Sequence, residues 1–355
     1  MIIREKTLSF SDNLTIFYLD RQRDAVFFDI ETTGLSWKYS RLYLIGAFFF
    51  REGQWRMRQW FLETPLEEPE LLRSFSDFLK DFSTVVHFNG QGFDLPYLTH
   101  KYKDYKIPDP LPRLESLDLY RILRPWRKIF GLSSLKQKDV EKFLGISRED
   151  VYSGGELISC YEEYLRNASP ELQKLLLLHN HDDLIGLTGI LPLLGYRRLT
   201  EGDCILCSAQ LEKGELTLSL SLNNPLPVPL SLDRTPFRLK TQLDSAVLAV
   251  DSFSGEMKHF FDAWKDYYYL PLEDCAVHKS VGVYVDKSCR QKAAARNCYQ
   301  RTSGVFLPQP DRLFEPVFYS EYGASPSWFQ LRGDFLKDKD SLMTYTRAIL
   351  QNMLG

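Results

Sequence analysis

Apolar residues in the first half of the chain recur with two different periods. In DAVFFDI (24–30) five of seven residues are apolar, and Val and Phe favour extended backbone, so a buried strand ending at Asp29-Ile30 is predicted. RLYLIGAFFF (41–50) predicts a second buried strand. The polar REG turns the chain into QWRMRQWF (54–61), whose alternation predicts a third strand with one wet face. Leu71, Leu72, Phe75, Phe78 and Leu79 then fall at helical spacing with charges between them. TVVHF (84–88) reads as a short strand closed by an Asn89-Gly90 turn, and a helix is predicted over 95–102 with Pro96 in its first turn.

From Leu119 the pattern turns helical: LYRILRPWRKI, SSLKQKDVEKFLG, GELISCYEEYLRN, and a long segment entered at Pro170 and left at Gly195. Gly186 and Gly189 inside it each cost up to ~1 kcal/mol against Ala, so a kink or a close approach is expected there. Near Tyr196 the period drops to two. LTLSLSL, PVPLSLD, FRLKTQL and SAVLAVDSF are short alternating bursts bounded by Pro, Gly and Asn, and DSLMTYTRAILQNML reads as a closing amphipathic helix. The expected organisation is an α/β domain over 1–198 and a second, β-rich domain over 199–355.

Composition narrows the classes. The 355 residues are 44% hydrophobic and 26% charged, which is enough for real cores and excludes disorder as the main state. Lys and Arg number 44 against 47 Asp and Glu, a net charge of -3, less basic than a general nucleic-acid coat, although an average hides local patches. The opening MIIREKTLSFSDNLTIFYLD has no basic start feeding an apolar stretch, and no run is long enough to span a bilayer. No membrane association and a cytoplasmic location are therefore expected. Six cysteines do not form a secreted staple pattern. Cys204-Ile205-Leu206-Cys207 has the spacing of half a zinc knuckle without its second half, so buried thiols are the simpler reading.

Three elements carry chemistry. Asp29 and Glu31 lie two apart at a strand end and share a face, so both carboxylates can enter one site. Asp94 follows the Asn89-Gly90 turn at a helix start, where it could also serve as a cap. His179 and Asp183 are four apart on one helix and share a face, and a carboxylate on so apolar a helix needs a partner or a metal. His87 and His181 have no comparable task.

Together, FFDIETTGL, NGQGFDLPYL and HNHDD resemble, in order and spacing, the DEDD superfamily of ribonuclease H-like 3′–5′ exonucleases, and within it the bacterial YprB-like group. The likeness covers about residues 24–195. It implies a ribonuclease H-like mixed sheet flanked by helices, with Asp29, Glu31, Asp94 and Asp183 holding Mg²⁺ or Mn²⁺, two ions per site, and His179 as general base. It further implies 3′–5′ hydrolysis of single-stranded DNA or RNA. His179 precedes Asp183 by one residue fewer than in the common histidine-type branch, and by the spacing of the tyrosine-type branch, which the YprB-like group shares. Thr32, Gly34 and Leu35 after the first motif, and Asn89 and Phe93 in the second, are the expected substrate contacts.

Residues 121–142 hold seven basic and two acidic residues around Trp126 and Phe130, and Arg124, Arg127 and Lys128 are candidate phosphate contacts. A solvated helix face fits the same pattern. Residues 278–301 hold six Lys or Arg against one Asp; RQKAAAR is helix-friendly, and a nucleic-acid-binding role for the second domain is considered on this basis. Two other readings stand beside the exonuclease: a nucleic-acid-binding module with little turnover, and a scaffold that recruits a repair or processing factor. No protein partner is identifiable from the sequence.

Overall fold

A computed structural model describes residues 1–8, 24–150, 152 and 154–355. The chain divides into two compact units, Met1–Gly195 and Tyr196–Gly355.

The first unit is a six-stranded mixed sheet. Strands β1 (Ile2–Leu8), β2 (Ala25–Thr32), β3 (Leu42–Arg51), β4 (Gln54–Phe61), β5 (Thr84–His87) and β6 (Glu115–Asp118) lie in the order β1-β4-β3-β2-β5-β6. The first four pair antiparallel, and β5 and β6 continue from β2 in parallel. Strands β2 and β3 are nearly all apolar because both faces of the sheet are covered. On one face, α1 (Glu68–Leu79) and α2 (Asp94–Asp104) pack Leu71, Phe75, Phe78, Tyr97 and Leu98 on Val26, Phe28 and Ile30. On the other, α5 (Gly154–Asn167) and α6 (Pro170–Ile190) pack Leu157, Tyr161, Leu176 and Leu177 on Tyr43, Leu44 and Phe61. Between them in sequence come the short helices α3 (Leu119–Leu123) and α4 (Gln137–Phe143).

Helix α6 starts as predicted, with Pro170 in its first turn and the Ser169 hydroxyl accepting the Leu172 amide at 3.3 Å. Its glycines serve close approach: a Cβ at Gly186 would sit 1.8 Å from Glu141 Oε1, and one at Gly189 2.5 Å from Ile146 Cδ1. Sheet and helix also meet closely at Gly46 of β3, where a Cβ would fall 2.0 Å from Asn180 Oδ1.

Three local expectations are corrected. LYRILRPWRKI is not one helix: α3 stops at Leu123 and a 3₁₀ turn spans Arg124–Arg127, because Pro125 brings no N–H and restricts the residue before it. Gly195 is not an exit, since it lies within α7 (Leu194–Thr200), and the chain turns out through Gly202 at φ +80°. RQKAAAR is not helical. Gln291 and Lys292 form strand β15, pairing with Tyr269 and Tyr268, and Ala295–Asn297 is a 3₁₀ turn.

The second unit is β-rich. Its five-stranded sheet joins, in this order, β7 (Cys204–Glu212), β8 (Glu215–Leu222), β11 (Ser245–Asp251), β10 (Phe237–Thr241) and β9 (Leu230–Arg234), and Leu216, Leu218, Leu220 and Leu222 of β8 point inward. A four-stranded sheet of β12 (Phe253–Phe260), β16 (Tyr299–Gln309), β18 (Ser327–Gln330) and β17 (Val317–Phe318), a three-stranded sheet of β14 (Cys275–His278), β13 (Tyr267–Leu270) and β15, and helices α8 (Lys279–Gly282) and α9 (Lys339–Leu354) complete it. Cys204 is buried and Cys207 exposed on β7 (Cys204–Glu212), and all six cysteines are free.

Candidate metal centre

The alternation of β2 sends Phe27, Asp29 and Glu31 to the face that α6 covers, and Val26, Phe28 and Ile30 to the opposite core. Asp29 pairs with Gly46, so the missing Cβ there admits Asn180 of α6 beside the Asp29 carboxylate. The Asn180 amide donates to Asp29 Oδ2 at 3.1 Å, while its oxygen accepts from Gln59 Nε2 at 2.9 Å. Gln59 also donates to the Leu177 carbonyl at 2.9 Å, which fixes the direction of the relay. Asn180 is fully buried.

One helical turn of α6 supplies the next pair. His179 Nε2 lies 3.1 Å from Asp183 Oδ2 and 3.4 Å from Glu31 Oε1. Ligand atoms of Glu31, His179 and Asp183 all lie within 4.8 Å of one another, the sole such trio among the described residues. Asp94 opens α2, buried, and its carboxylate accepts from its own amide and that of Ile30.

The electrostatics show how crowded the four carboxylates are. Burial first, then Asp183, Glu31 and Asp94, pushes the Asp29 carboxyl well up, with only the Asn180 bond opposing. Burial, then Asp183, Asp94 and Asp150, does the same to Glu31. Burial raises Asp94 to about 7, against its two backbone amides. Asp29, Glu31 and Asp94 are hard oxygen donors with an imidazole beside them, and their charges repel one another. Such a set fits Mg²⁺ or Mn²⁺, whose charge would relieve the repulsion.

His179 is held from behind. Its Nδ1 lies 2.6 Å from Asp150 Oδ2. Burial pushes Asp150 up, but the Tyr152 amide, Lys138 and His179 together hold it below the usual carboxylate range. Lys138 Nζ stands 3.0 Å from Asp150 Oδ2, and Asp182 Oδ2 accepts the amides of Glu149 and Asp150 at 2.9 Å each. Asp182 is thus a loop anchor, and His181 turns to it at 3.0 Å instead of to the cluster. His87 accepts the Gly90 amide at 3.0 Å and contacts Ser116 at 2.8 Å; burial lowers it to about 4, so it is a neutral core group.

Asp29 and Asp183 open onto a cleft of about 890 Å³. Its walls include the expected Asn89, Arg124 and Arg127, together with Phe88, Tyr120, Lys136 and Gln137. Lys128 is exposed but outside this lining, and Arg127 also donates to the carbonyls of Leu132 and Ser133. The Thr32 hydroxyl donates to the Gly34 carbonyl at 2.9 Å, shaping the turn that presents Leu35, which is 86% exposed. Phe93 precedes α2 and packs its ring 5.5 Å from that of Tyr97.

Sequence reasoning overlooked Asn180, Gln59, Asp150 and Arg148. A signal for Asn180 existed, since it interrupts the stripe Leu176, Leu184, Leu187 on α6 and a polar group there must find a partner. Asp150 and Arg148 lie on a loop, where no periodicity marks a side chain.

Residues 26–194 match the RNase_H_2 family model of the RNase_H superfamily. The uncharacterized protein YprB of Bacillus subtilis (strain 168) is 30% identical over 169 residues, covering 46% of this chain and 40% of that protein. The chain therefore spans well under half the length of this curated relative. Among solved structures, the family B DNA polymerase of Pyrobaculum calidifontis is 15% identical with a TM-score of 0.41, over 68% of this chain and 35% of its own. E. coli Exonuclease I in complex with a dT13 oligonucleotide is 12% identical with a TM-score of 0.29, over 56% of this chain and 54% of its own.

Proposed function

From a ribonuclease H-superfamily domain over residues 26–194, we propose that this protein is a divalent-metal-dependent 3′–5′ exonuclease acting on single-stranded DNA or RNA in the cytoplasm. The observation that carries the reading is the crowding of Asp29, Glu31, Asp94 and Asp183 around one spot beside His179. Two Mg²⁺ or Mn²⁺ ions held by these carboxylates would supply Lewis acidity at the scissile phosphate and stabilise the departing oxygen.

The protein's own groups account for the remaining steps. With a proton on Nδ1 shared toward Asp150, His179 keeps the Nε2 lone pair facing the cluster, where it takes a proton from the attacking water. The water oxygen bonds to phosphorus, the P–O3′ bond breaks, the departing 3′-oxygen takes a proton from solvent to become the hydroxyl of the shortened strand, and a nucleoside 5′-monophosphate leaves. Arg124, Arg127 and Lys136 on the cleft wall would neutralise strand phosphates, and Phe88 and Tyr120, 5.9 Å apart, would offer an aromatic surface to bases.

The second unit adds a strand contact of its own in this reading. Tyr268 of β13 (Tyr267–Leu270) has Arg290 at 4.6 Å and Lys279 at 6.0 Å from its ring, and Tyr284 is 90% exposed nearby in sequence. The six unpaired cysteines suit a reducing compartment.

The test is end-labelled single-stranded DNA and RNA, with free or blocked 3′ ends, with and without Mn²⁺. Release of 5′-mononucleotides from free ends, dependent on Mn²⁺ and absent in D29N, is expected. Tight binding without any product would favour a binding module, and neither binding nor product would leave the scaffold reading.

A further inference from the structure

One cation is already built into the carboxylate cluster. Arg148 lies with its side chain only 10% exposed and its Nη1 2.6 Å from Asp183 Oδ1. This contact is an ion pair, and Nη1 has no other partner among the described residues. The rest of the guanidinium is held much more firmly. Its Nε and Nη2 grip both oxygens of Glu141, Nη2 at 2.6 Å from Oε1, and that carboxylate is 1% exposed. Gln137 Nε2 braces the arrangement, donating to Glu141 Oε1 at 2.8 Å and to the Asp183 carbonyl at 2.7 Å. Gly186 leaves the space, since a Cβ there would collide with Glu141 Oε1. Four residues from two helices and a loop thus hold one positive charge against Asp183.

As a result Arg148 engages Oδ1 of Asp183, while Oδ2 faces His179 Nε2 at 3.1 Å. A divalent ion that uses Asp183 must share or displace the guanidinium. The two bonds to Glu141 keep Arg148 in place when it yields its single contact to Asp183. We propose that Arg148 is a positioning residue that acts as an internal counter-cation: it competes with divalent metal for Asp183, lowers the metal affinity of the site, and keeps the metal-free cluster folded. This rests on the metal-centre reading above.

Calorimetric titration with Mn²⁺ alone, together with melting of the metal-free protein, tests it without reference to turnover. Arg148→Met by itself would strand the buried Glu141 charge, so the informative variant is E141Q/R148M, which removes one charge of each sign. Its Kd for Mn²⁺ should fall by roughly tenfold, the guanidinium being the nearer of the two charges to Asp183. Its metal-free melting temperature should fall while the rise on adding Mn²⁺ grows. E141Q alone keeps the guanidinium, frees it to bear wholly on Asp183, and should weaken Mn²⁺ binding. That variant decides the matter if the double variant does not fold. Unchanged Kd values, or tighter binding by E141Q, would overturn the competition. Wild-type protein that binds no Mn²⁺ would overturn the metal centre itself, and the competition with it.

Discussion

Two sets of buried acids occupy the first unit, and the fold treats them in opposite ways. Glu68, with no exposed surface, accepts the Leu42 amide at 2.9 Å and the Tyr105 hydroxyl at 2.7 Å, and pairs with Lys101 at 2.8 Å. Asp118 accepts the amides of Asn89, Gln91 and Tyr120 at 2.9, 3.2 and 3.1 Å. These carboxylates are satisfied from within, as a buried charge must be if its task is structural. Asp29 and Glu31, by contrast, make no ion pair with Lys or Arg among the described residues, and burial and their acidic neighbours push both well up. A count of acids would rank the two sets alike. What separates them is the missing counter-charge, which points to a ligand from outside.

Substitution should separate the sets most sharply. D29N is expected to cost roughly 10³–10⁴-fold in kcat while leaving the metal-free melting temperature unchanged or higher, since a like charge is removed; D183N should cost a similar factor in kcat but lower that melting temperature, because it also removes the partner of Arg148. E68Q should do the reverse, losing about 3–5 kcal/mol of stability by breaking a buried pair while the folded fraction keeps its kcat. Melting curves and single-turnover rates on the same preparations would break the comparison if both variants behaved alike. H179A should retain Mn²⁺ binding and lose roughly 10²–10⁴-fold in the chemical step, with H181A near wild type. A crippled H181A and a normal H179A would reverse the assignment.

Acidity sharpens the contrast further. Asp94 is raised to about 7, and Asp29 and Glu31 also lie above their ordinary values. A folded state that keeps protons which the unfolded chain has released loses stability as pH rises. The metal-free protein should therefore lose stability from about pH 4 up through the folded value of Asp94, and beyond it for as long as Asp29 and Glu31 still hold protons. Denaturant titrations should show D94N flattening the part of that slope near neutrality, whereas a slope unchanged in D94N would place the proton elsewhere. The smallest expected effect is in the cleft. R124A and R127A should each raise KM a fewfold and reduce the salt dependence of binding, whereas K128A, outside the lining, should do neither.

The site was legible where periodicity carried it. A two-residue step on a buried strand put Asp29 and Glu31 on one face, and a four-residue step on α6 put His179 beside Asp183. Loops and edges were not legible. IIREKTL forms edge strand β1 with Arg4, Glu5 and Lys6 exposed, so no apolar alternation announces it, and charged side chains of this kind blunt an open edge. Asp150 and Arg148 reach the site through a loop held by Asp182, a tertiary fact with no local signature. RQKAAAR has helix-forming residues, but pairing with Tyr268 and Tyr269 outweighs that preference.

The central claim is that a divalent ion supplies the charge that Asp29, Glu31 and Asp94 lack and that Arg148 gives Asp183 only until metal binds. Anomalous diffraction from crystals soaked in Mn²⁺ tests it directly. The account predicts anomalous peaks about 2.0–2.3 Å from carboxylate oxygens of Asp29, Glu31 and Asp183, lost in D183N. Crystals that take up Mn²⁺ elsewhere while this cluster stays free of anomalous density would contradict it.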